Sequence, residues 1–256
     1  MDIRILGAHN CESASTRLSS LMVGGVLSLD GGALASGLSF AEQRKIKSIL
    51  LTHHHYDHVK DVPAVLFNFA MWEEDVNVYS TSLVYQKLTA HLLNGELYPK
   101  FLGWPSENPR INFNLVEPYQ SRQIEGYNVL PVPVRHSVPT VGYQVISPDG
   151  KSLFYTGDTG PGLSDCWEHI SPQLLIIELS APNRFEKLYR KRGHLTPNLL
   201  RQELSEFLRI KGYLPQVVLV HLNPNLEAEI KGEIDIVAAE LNHEIRLAYE
   251  DMELHL

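Results

Sequence analysis

The sequence predicts an α/β protein in which two β-sheets pack face to face with helices on the outside. Three observations lead there. Short apolar runs of buried-strand character recur along the chain, among them Ile49-Leu50-Leu51 and Leu174-Leu175-Ile176-Ile177. Strands precede helices in each half, and the two halves are of similar make-up. No internal linker, low-complexity tract or short-period repeat divides the chain, and 256 residues fit one large domain with a sizeable core. One domain spanning 1–256 is therefore expected.

Element by element, residues 2–7 alternate into a strand ending at Gly7, and a polar loop follows over 8–17. Leu21-Met22-Val23 and 26–30 form a hairpin around Gly24-Gly25, a two-glycine turn signal. Residues 39–47 read as a short helix, 48–52 as a strand and 59–72 as a helix. Beyond them come a strand at 76–79, a helix at 82–93, and an irregular stretch at 94–109 carrying Tyr98, Phe101 and Trp104. That stretch reads as a surface loop pinned by its aromatics, with a lid or a homodimer contact as the alternative. Strands are expected at 111–116, 128–135, 141–147 and 152–156, the last two joined by the turn Pro148-Asp149-Gly150-Lys151. A buried-type strand at 173–178 ends at Glu178. Thr196-Pro197 opens a helix with Leu199, Leu200, Leu204, Phe207 and Leu208 on one face. The strand 216–220 delivers His221, and a helix at 226–242 with strands near 245–249 and 252–255 completes the chain.

Composition bounds the function classes. A hydrophobic fraction of 44% and a charged fraction of 20% are ordinary for a soluble globular protein. A formal charge of −8 argues against nonspecific polyanion binding, which needs clustered Lys and Arg. The densest basic run, Arg184, Lys187, Arg190, Lys191 and Arg192, reads as a solvated face. The two cysteines, Cys11 and Cys166, are far apart, which argues against a disulfide framework or a zinc knuckle and suits a reducing cytoplasm. The N-terminus lacks signal-peptide character, and no apolar run approaches the ~20 residues of a membrane span. A cytoplasmic protein with no membrane partner is the expectation.

The chemistry gathers after strands. Thr52-His53-His54-His55-Tyr56-Asp57-His58 crowds imidazoles and a carboxylate directly behind Ile49-Leu50-Leu51, and such donors suit zinc, manganese or iron. A solvent-exposed poly-His tract would explain three adjacent histidines, but not Asp57-His58 or the position behind a buried strand. His136, Asp158, Glu178 and His221 also stand at the C-terminal ends of apolar strands. Alone, each is more often a packed histidine or a turn residue. Together they mark one rim.

With His53-x-His55-x-Asp57-His58, a single downstream His136, a bridging-type Asp158 and a late His221, the sequence resembles the metallo-β-lactamase superfamily over essentially its whole length. The resemblance implies an αββα sandwich of two mostly antiparallel sheets and a centre of two divalent ions. Zinc is favoured, with manganese or iron as alternatives. One ion would be held by His53, His55 and His136, the other by Asp57, His58 and His221, with Asp158 between them; His54 is not a ligand in this pattern. Glu178-Leu179-Ser180, followed by Gly193-His194-Leu195-Thr196-Pro197, resembles the phosphodiesterase branch of ribonuclease Z, class II cyclic-nucleotide phosphodiesterases and the phosphonate-pathway cyclic-phosphate diesterase. This implies catalytic roles for Asp57, orienting a hydroxide shared by the ions, for His194, protonating the leaving oxygen, and for Glu178, supporting His194. General acid catalysis of this kind contributes about 10²–10⁴-fold.

The substrate is narrowed by what the chain lacks. Ribonuclease Z relatives carry a tRNA-gripping arm between the residues matching His136 and Asp158, where only 21 residues stand here. The tRNA 3′-processing role is accordingly disfavoured. The cysteine set of the phosphonate-pathway enzyme is missing, and Tyr56 stands where cyclic-nucleotide enzymes usually carry leucine. The expectation is a phosphodiesterase for a small phosphodiester such as a cyclic nucleotide. The alternative is a carbonyl hydrolase acting on a lactone, ester or thioester. An oxygen-reducing di-iron centre is a further reading, but no residues remain for the flavin domain those relatives carry.

Overall fold

A computed structural model describes residues 1–99, 101–103, 107 and 109–256. Strand β1 (Asp2–Gly7) is followed by the hairpin of β2 (Ser20–Val23) and β3 (Leu27–Leu29). Gly24 and Gly25 turn that hairpin at φ +58° and +70°, where a side chain would be strained. Two short helices, α1 (Leu34–Gly37) and α2 (Phe40–Gln43), lead to β4 (Ser48–Leu50). Next come α3 (Tyr56–Val59), α4 (Val62–Trp72), β5 (Val76–Ser80), α5 (Ser82–His91) and β6 (Ile111–Leu115).

The second half opens with β7 (Arg122–Ile124), β8 (Tyr127–Val134), β9 (Thr140–Ile146) and β10 (Ser152–Tyr155). It continues through α6 (Ser164–His169), β11 (Leu174–Glu178), a 3₁₀ turn at Asn183–Phe185 and α7 (Glu186–Arg192). The long helix α8 (Pro197–Lys211), β12 (Gln216–Val220), α9 (Glu227–Leu241) and β13 (Ile245–Leu247) follow. Finally β14 (Met252–His255) returns to pair with β1.

The strands form two seven-stranded sheets, in the orders β14-β1-β2-β3-β4-β5-β6 and β13-β12-β11-β10-β9-β8-β7. The sandwich is the expected one, but its sheets are mixed rather than mostly antiparallel. Among the described residues each has three antiparallel and three parallel pairings. The reason lies in the connections. Hairpins join β2 to β3 and β8 to β9, whereas helices carry the chain from β4 to β5 and from β11 to β12, and a helical crossover returns the next strand parallel.

Period-two alternation places the layers. Leu174 and Ile176 of β11, with Val218 and Val220 of β12, face the first sheet's Ile5, Leu29 and Leu50 in the core between the sheets. Their neighbours Leu175, Ile177, Val217 and Leu219 pack outward against Leu199, Leu200 and Phe207 of α8 and Ile230 of α9. Strands apolar on both faces are what a parallel strand under helices requires. On the other side Ile49, Val76 and Val78 meet Val65, Leu66 and Phe69 of α4. Truncating one such leucine to alanine would cost about 2–5 kcal/mol.

In the described part of 94–109, Phe101 is buried and sets its ring 5.9 Å from Phe67, with Tyr98 at 6.2 Å from the same ring; Trp104 lies outside the described residues. Among the described residues no helix is long and apolar enough to cross a membrane.

Candidate metal centre

The first donors come from the turn after β4. Asp30, at the end of β3, receives the Thr52 backbone N–H at 2.8 Å and the Thr52 hydroxyl at 2.9 Å. It lies 2.6 Å from His58 Nδ1 and accepts the Tyr155 hydroxyl at 2.9 Å. The carboxylate is fully buried and sits at φ +59°, a region aspartate tolerates better than most residues. With Thr52 fixed, His53 follows directly, its Nδ1 3.0 Å from the Thr52 hydroxyl. His55 precedes α3 in extended backbone, and Asp57 and His58 lie within that single helical turn.

The second half supplies its donors one strand at a time. His136 follows β8, its Nδ1 at 2.8 Å from the Gly193 carbonyl. Asp158 follows β10, and His221 follows β12 at φ +60° with its Nδ1 2.8 Å from the Ser180 hydroxyl. A non-glycine residue held there costs on the order of 1–3 kcal/mol, and such strain clusters at functional sites.

These side chains converge as two donor sets sharing one carboxylate. Ligand atoms of His53, His55, His136 and Asp158 lie within 4.8 Å of one another, as do those of Asp57, His58, Asp158 and His221. His53 Nε2 and His136 Nε2 stand 3.6 and 3.7 Å from Asp158 Oδ2, while His58 Nε2 and His221 Nε2 stand 2.9 and 3.4 Å from Oδ1. His221 Nε2 is also 3.1 Å from Asp57 Oδ2. His55 presents Nδ1, 3.1 Å from His136 Nε2. A third group, Glu178, His194 and His221, adjoins them, and His54 belongs to none of the three.

At the heart of the cluster His53 Nε2 is buried with no hydrogen-bond partner, and His58 Nε2 and Asp158 Oδ1, though 2.9 Å apart, form no well-directed hydrogen bond, so all three stay open toward the centre. Buried polar atoms are almost always satisfied, so three such atoms at one point fit positions for cations. The electrostatics divides the donors: against burial, Asp158, Asp30 and Asp57 hold His58 well above its ordinary pKa, whereas the imidazoles of the other set are kept neutral. Burial, reinforced by neighbouring imidazoles, holds His53 well below its ordinary pKa, and burial lowers His55 and His136 as well. Imidazoles kept neutral are ready to bind a cation. Burial opposes charge on Asp158 and Asp57, but His221 and His58 outweigh it and keep both carboxylates below their usual range. The nitrogen and oxygen cluster fits a dimetal site.

Beside it lies the pair Glu178 and His194. Their Oε1 and Nδ1 are 2.7 Å apart. Glu178 is fully buried at the end of β11 and also takes the Thr159 backbone N–H at 3.1 Å and the Ser180 hydroxyl at 2.9 Å. Burial alone would lower the His194 pKa, but the Glu178 carboxylate reverses the shift and pushes it up to about 9. The His194 ring stacks parallel to His221 at 5.4 Å and stands 4.9 Å from His136. The ring thus lies beside one member of each donor set.

Sequence reasoning gave no site role to Asp30, Thr52, Tyr155 or Ser180, which hold donor imidazoles in place directly or, for Tyr155, through Asp30. For Asp30 a signal was present, an aspartate closing a strand before Gly31-Gly32. Ser180 carries none beyond its place two residues after Glu178.

A family model for the beta-lactamase superfamily domain matches residues 33–222, most of the chain and the whole of the donor set. The chain belongs to the beta-lactamase superfamily. Solved structures of the same fold agree. Unliganded yeast PDE1 superposes with a TM-score of 0.85 at 16% identity, over 100% of this chain and 99% of that one. The metallo-beta-lactamase fold protein YhfI from Bacillus subtilis gives 0.78 at 16%, over 99% and 98%. The short form of human tRNase Z gives 0.68 at 18%, over 100% and 99%. Among curated proteins no sequence match is found. Membership in the superfamily accounts for the mixed sheets and the rim of strand-end donors, while the reaction depends on the residues around them.

Proposed function

We propose that this protein is a dinuclear-metal-dependent phosphodiesterase acting on a small phosphodiester such as a cyclic nucleotide. The observation that carries the reading is the Glu178–His194 pair, 2.7 Å apart, with the His194 ring beside one member of each donor set. Two divalent cations held by His53, His55 and His136, by Asp57, His58 and His221, and by Asp158 between them, would acidify water and neutralise charge on phosphoryl oxygens. Around that centre the chain's own groups divide the remaining work.

Asp57, partly open to solvent beside buried donors, accepts a proton or a hydrogen bond from the attacking water and sets its direction. His194, kept as imidazolium by Glu178, donates from Nε2 to the departing alkoxide oxygen; Nδ1 is already committed to the carboxylate. Ser180 donates to Glu178 and lies 2.8 Å from His221 Nδ1, so one hydroxyl aligns the acid and a donor of the metal cluster. Carbonyl hydrolysis has less need of a strong acid at this position, because its tetrahedral intermediate can be stabilised before the leaving group departs.

The fold relatives include phosphodiesterase-like proteins, yeast PDE1, tRNase Z and a diphosphatase from the PhnP family. A small substrate is favoured because the residues between His136 and Asp158 are taken up by the β9–β10 hairpin, with no projecting arm. An isothiocyanate hydrolase from Delia radicum gut bacteria shares the fold at a TM-score of 0.60, so attack at carbon is the competing outcome. In the test, His194→Ala should lower turnover of a 3′,5′-cyclic nucleotide, whose leaving group is an alkoxide, by about 10²–10⁴-fold while metal stoichiometry stays that of the wild type. Unchanged turnover in the variant, or a wild-type preference for p-nitrophenyl acetate or a lactone, overturns the reading.

A further inference from the structure

Beyond the donor set, positive charge converges on one cavity at the edge of the centre. It measures about 310 Å³ and lies between Arg135 and Ser137, just past β8, and Arg190 and Lys191, in the last turn of α7. Ser137 links it to the donors, its hydroxyl 3.3 Å from His136 Nε2. Gly193 lines the same space at φ +78°. A Cβ there would come within 2.9 Å of the His136 Cα and 2.8 Å of the Ser137 nitrogen, so the backbones meet closely here, and His136 itself lines the same space as the basic residues.

Charge balance sets this cavity apart from an ordinary solvated face. Arg190 pairs with Glu186 at 3.1 Å. Among the described residues, Arg135 and Lys191 meet no carboxylate; Arg135 Nε donates to the Gly162 carbonyl at 3.4 Å, leaving the end of its guanidinium fork free. Cations suit the C-terminal end of a helix, which accounts for Arg190 and Lys191 on α7. That preference does not account for Arg135, which a different element brings to the same space. In a chain with a formal charge of −8, such a convergence calls for an anion. Guanidinium binds phosphate through two parallel hydrogen bonds, and an ammonium adds a point charge.

We propose that this cavity binds a second phosphate of the substrate, so that the preferred substrate is a small molecule carrying a phosphomonoester besides the scissile diester. The proposal rests on the phosphodiesterase reading for what is cleaved, but not for the binding of the second phosphate. The metal-reconstituted protein is assayed with thymidine 5′-(p-nitrophenyl phosphate) and with its 3′-phosphorylated counterpart. Calorimetry compares adenosine 3′,5′-bisphosphate with adenosine 5′-monophosphate. The wild type should show a KM about tenfold lower for the 3′-phosphorylated diester and a similarly tighter bisphosphate, as charge-assisted contacts supply. In the double variant Arg135→Gln, Lys191→Gln both preferences should vanish, with kcat on the plain diester unchanged.

Equal binding of mono- and bisphosphate by the wild type, or a preference that survives in the variant, overturns the proposal. A bisphosphate preference lost in the variant, with neither diester cleaved, supports the phosphate cavity and sinks the phosphodiesterase reading. Cleavage of the plain diester without a bisphosphate preference does the reverse. Displacement of the bisphosphate by a single-stranded oligonucleotide at lower concentration overturns the assignment to a small molecule.

Discussion

The two sheets are built alike and serve the centre differently. Each has seven strands and the same mixture of pairings, yet the first sheet delivers its donors as one packet after β4, four within six residues, and the second delivers His136, Asp158 and His221 from the ends of β8, β10 and β12. The packet is anchored by a single buried carboxylate, Asp30, which reaches Thr52, His58 and Tyr155. The dispersed set is steadied piecemeal, by the Gly193 carbonyl at His136 and by Ser180 at His221. Concentrated support should fail all at once, and distributed support by degrees.

The largest effect is accordingly expected at Asp30. Asp30→Ala strands the Thr52 amide, the Tyr155 hydroxyl and the His58 Nδ1 inside the core, and breaking a buried network of this kind costs about 3–5 kcal/mol. Urea unfolding should show a loss of that size, and metal stoichiometry should fall with it; a stability within 1 kcal/mol of wild type, on the order of a surface change, would dissolve the contrast between the halves. In the second sheet Ser180→Ala takes a partner from Glu178 and from His221 Nδ1 and should cost about 1–3 kcal/mol, less than Asp30→Ala. Loss of a group that orients a metal-binding side chain costs about 10–100-fold in metal affinity or activity, and metal titration alongside kcat/KM would register it. The smallest effect over the working range is that of pH. His194 has its pKa pushed up from 6.5 to about 9 by Glu178. The imidazolium, and the ion-pair stabilisation complete below 6.5, persist through neutral pH and disappear as pH rises through 9. Turnover that needs the acid should decline above that point, about tenfold per pH unit, and Glu178→Gln should bring the decline to lower pH. A basic limb in the same place in that variant would detach Glu178 from the acid.

The same contrast governs what could be read from the sequence. Donors packed into one turn, His53 to His58, announce themselves because spacing and residue type sit in one short window. His136, Asp158 and His221 are legible only as residues that close apolar strands, and their assignment to two donor sets came from the family resemblance. Supports that act through space left little trace. Asp30 needed the αL backbone at the end of β3 to be noticed, and Tyr155 looked like any core aromatic. Among the elements, α6, β7 and α1 were passed over because six residues or fewer give periodicity no room to show. The basic run at 184–192, read as a solvated face, folds as a 3₁₀ turn and α7, and its last turn meets Arg135. The expectation of mostly antiparallel sheets came with the family resemblance, and local patterning had nothing to set against it, because it registers strands but not the direction from which a helix returns them.

Gly157, immediately before Asp158, turns at φ +60° with its missing side chain facing Thr52; a Cβ there would lie 2.8 Å from the Thr52 side chain. Thr52 in turn accepts the Val141 amide on its carbonyl at 3.2 Å. At this point the first sheet's packet and the second sheet's bridging carboxylate rest backbone against side chain, with no tolerance between them. The packing of the sandwich at Gly157 and Thr52 thus bears directly on the spacing of the two donor sets. A cavity whose dimensions are set by packing would select its guests by radius and coordination number, and here that packing closes at a glycine outside both donor sets.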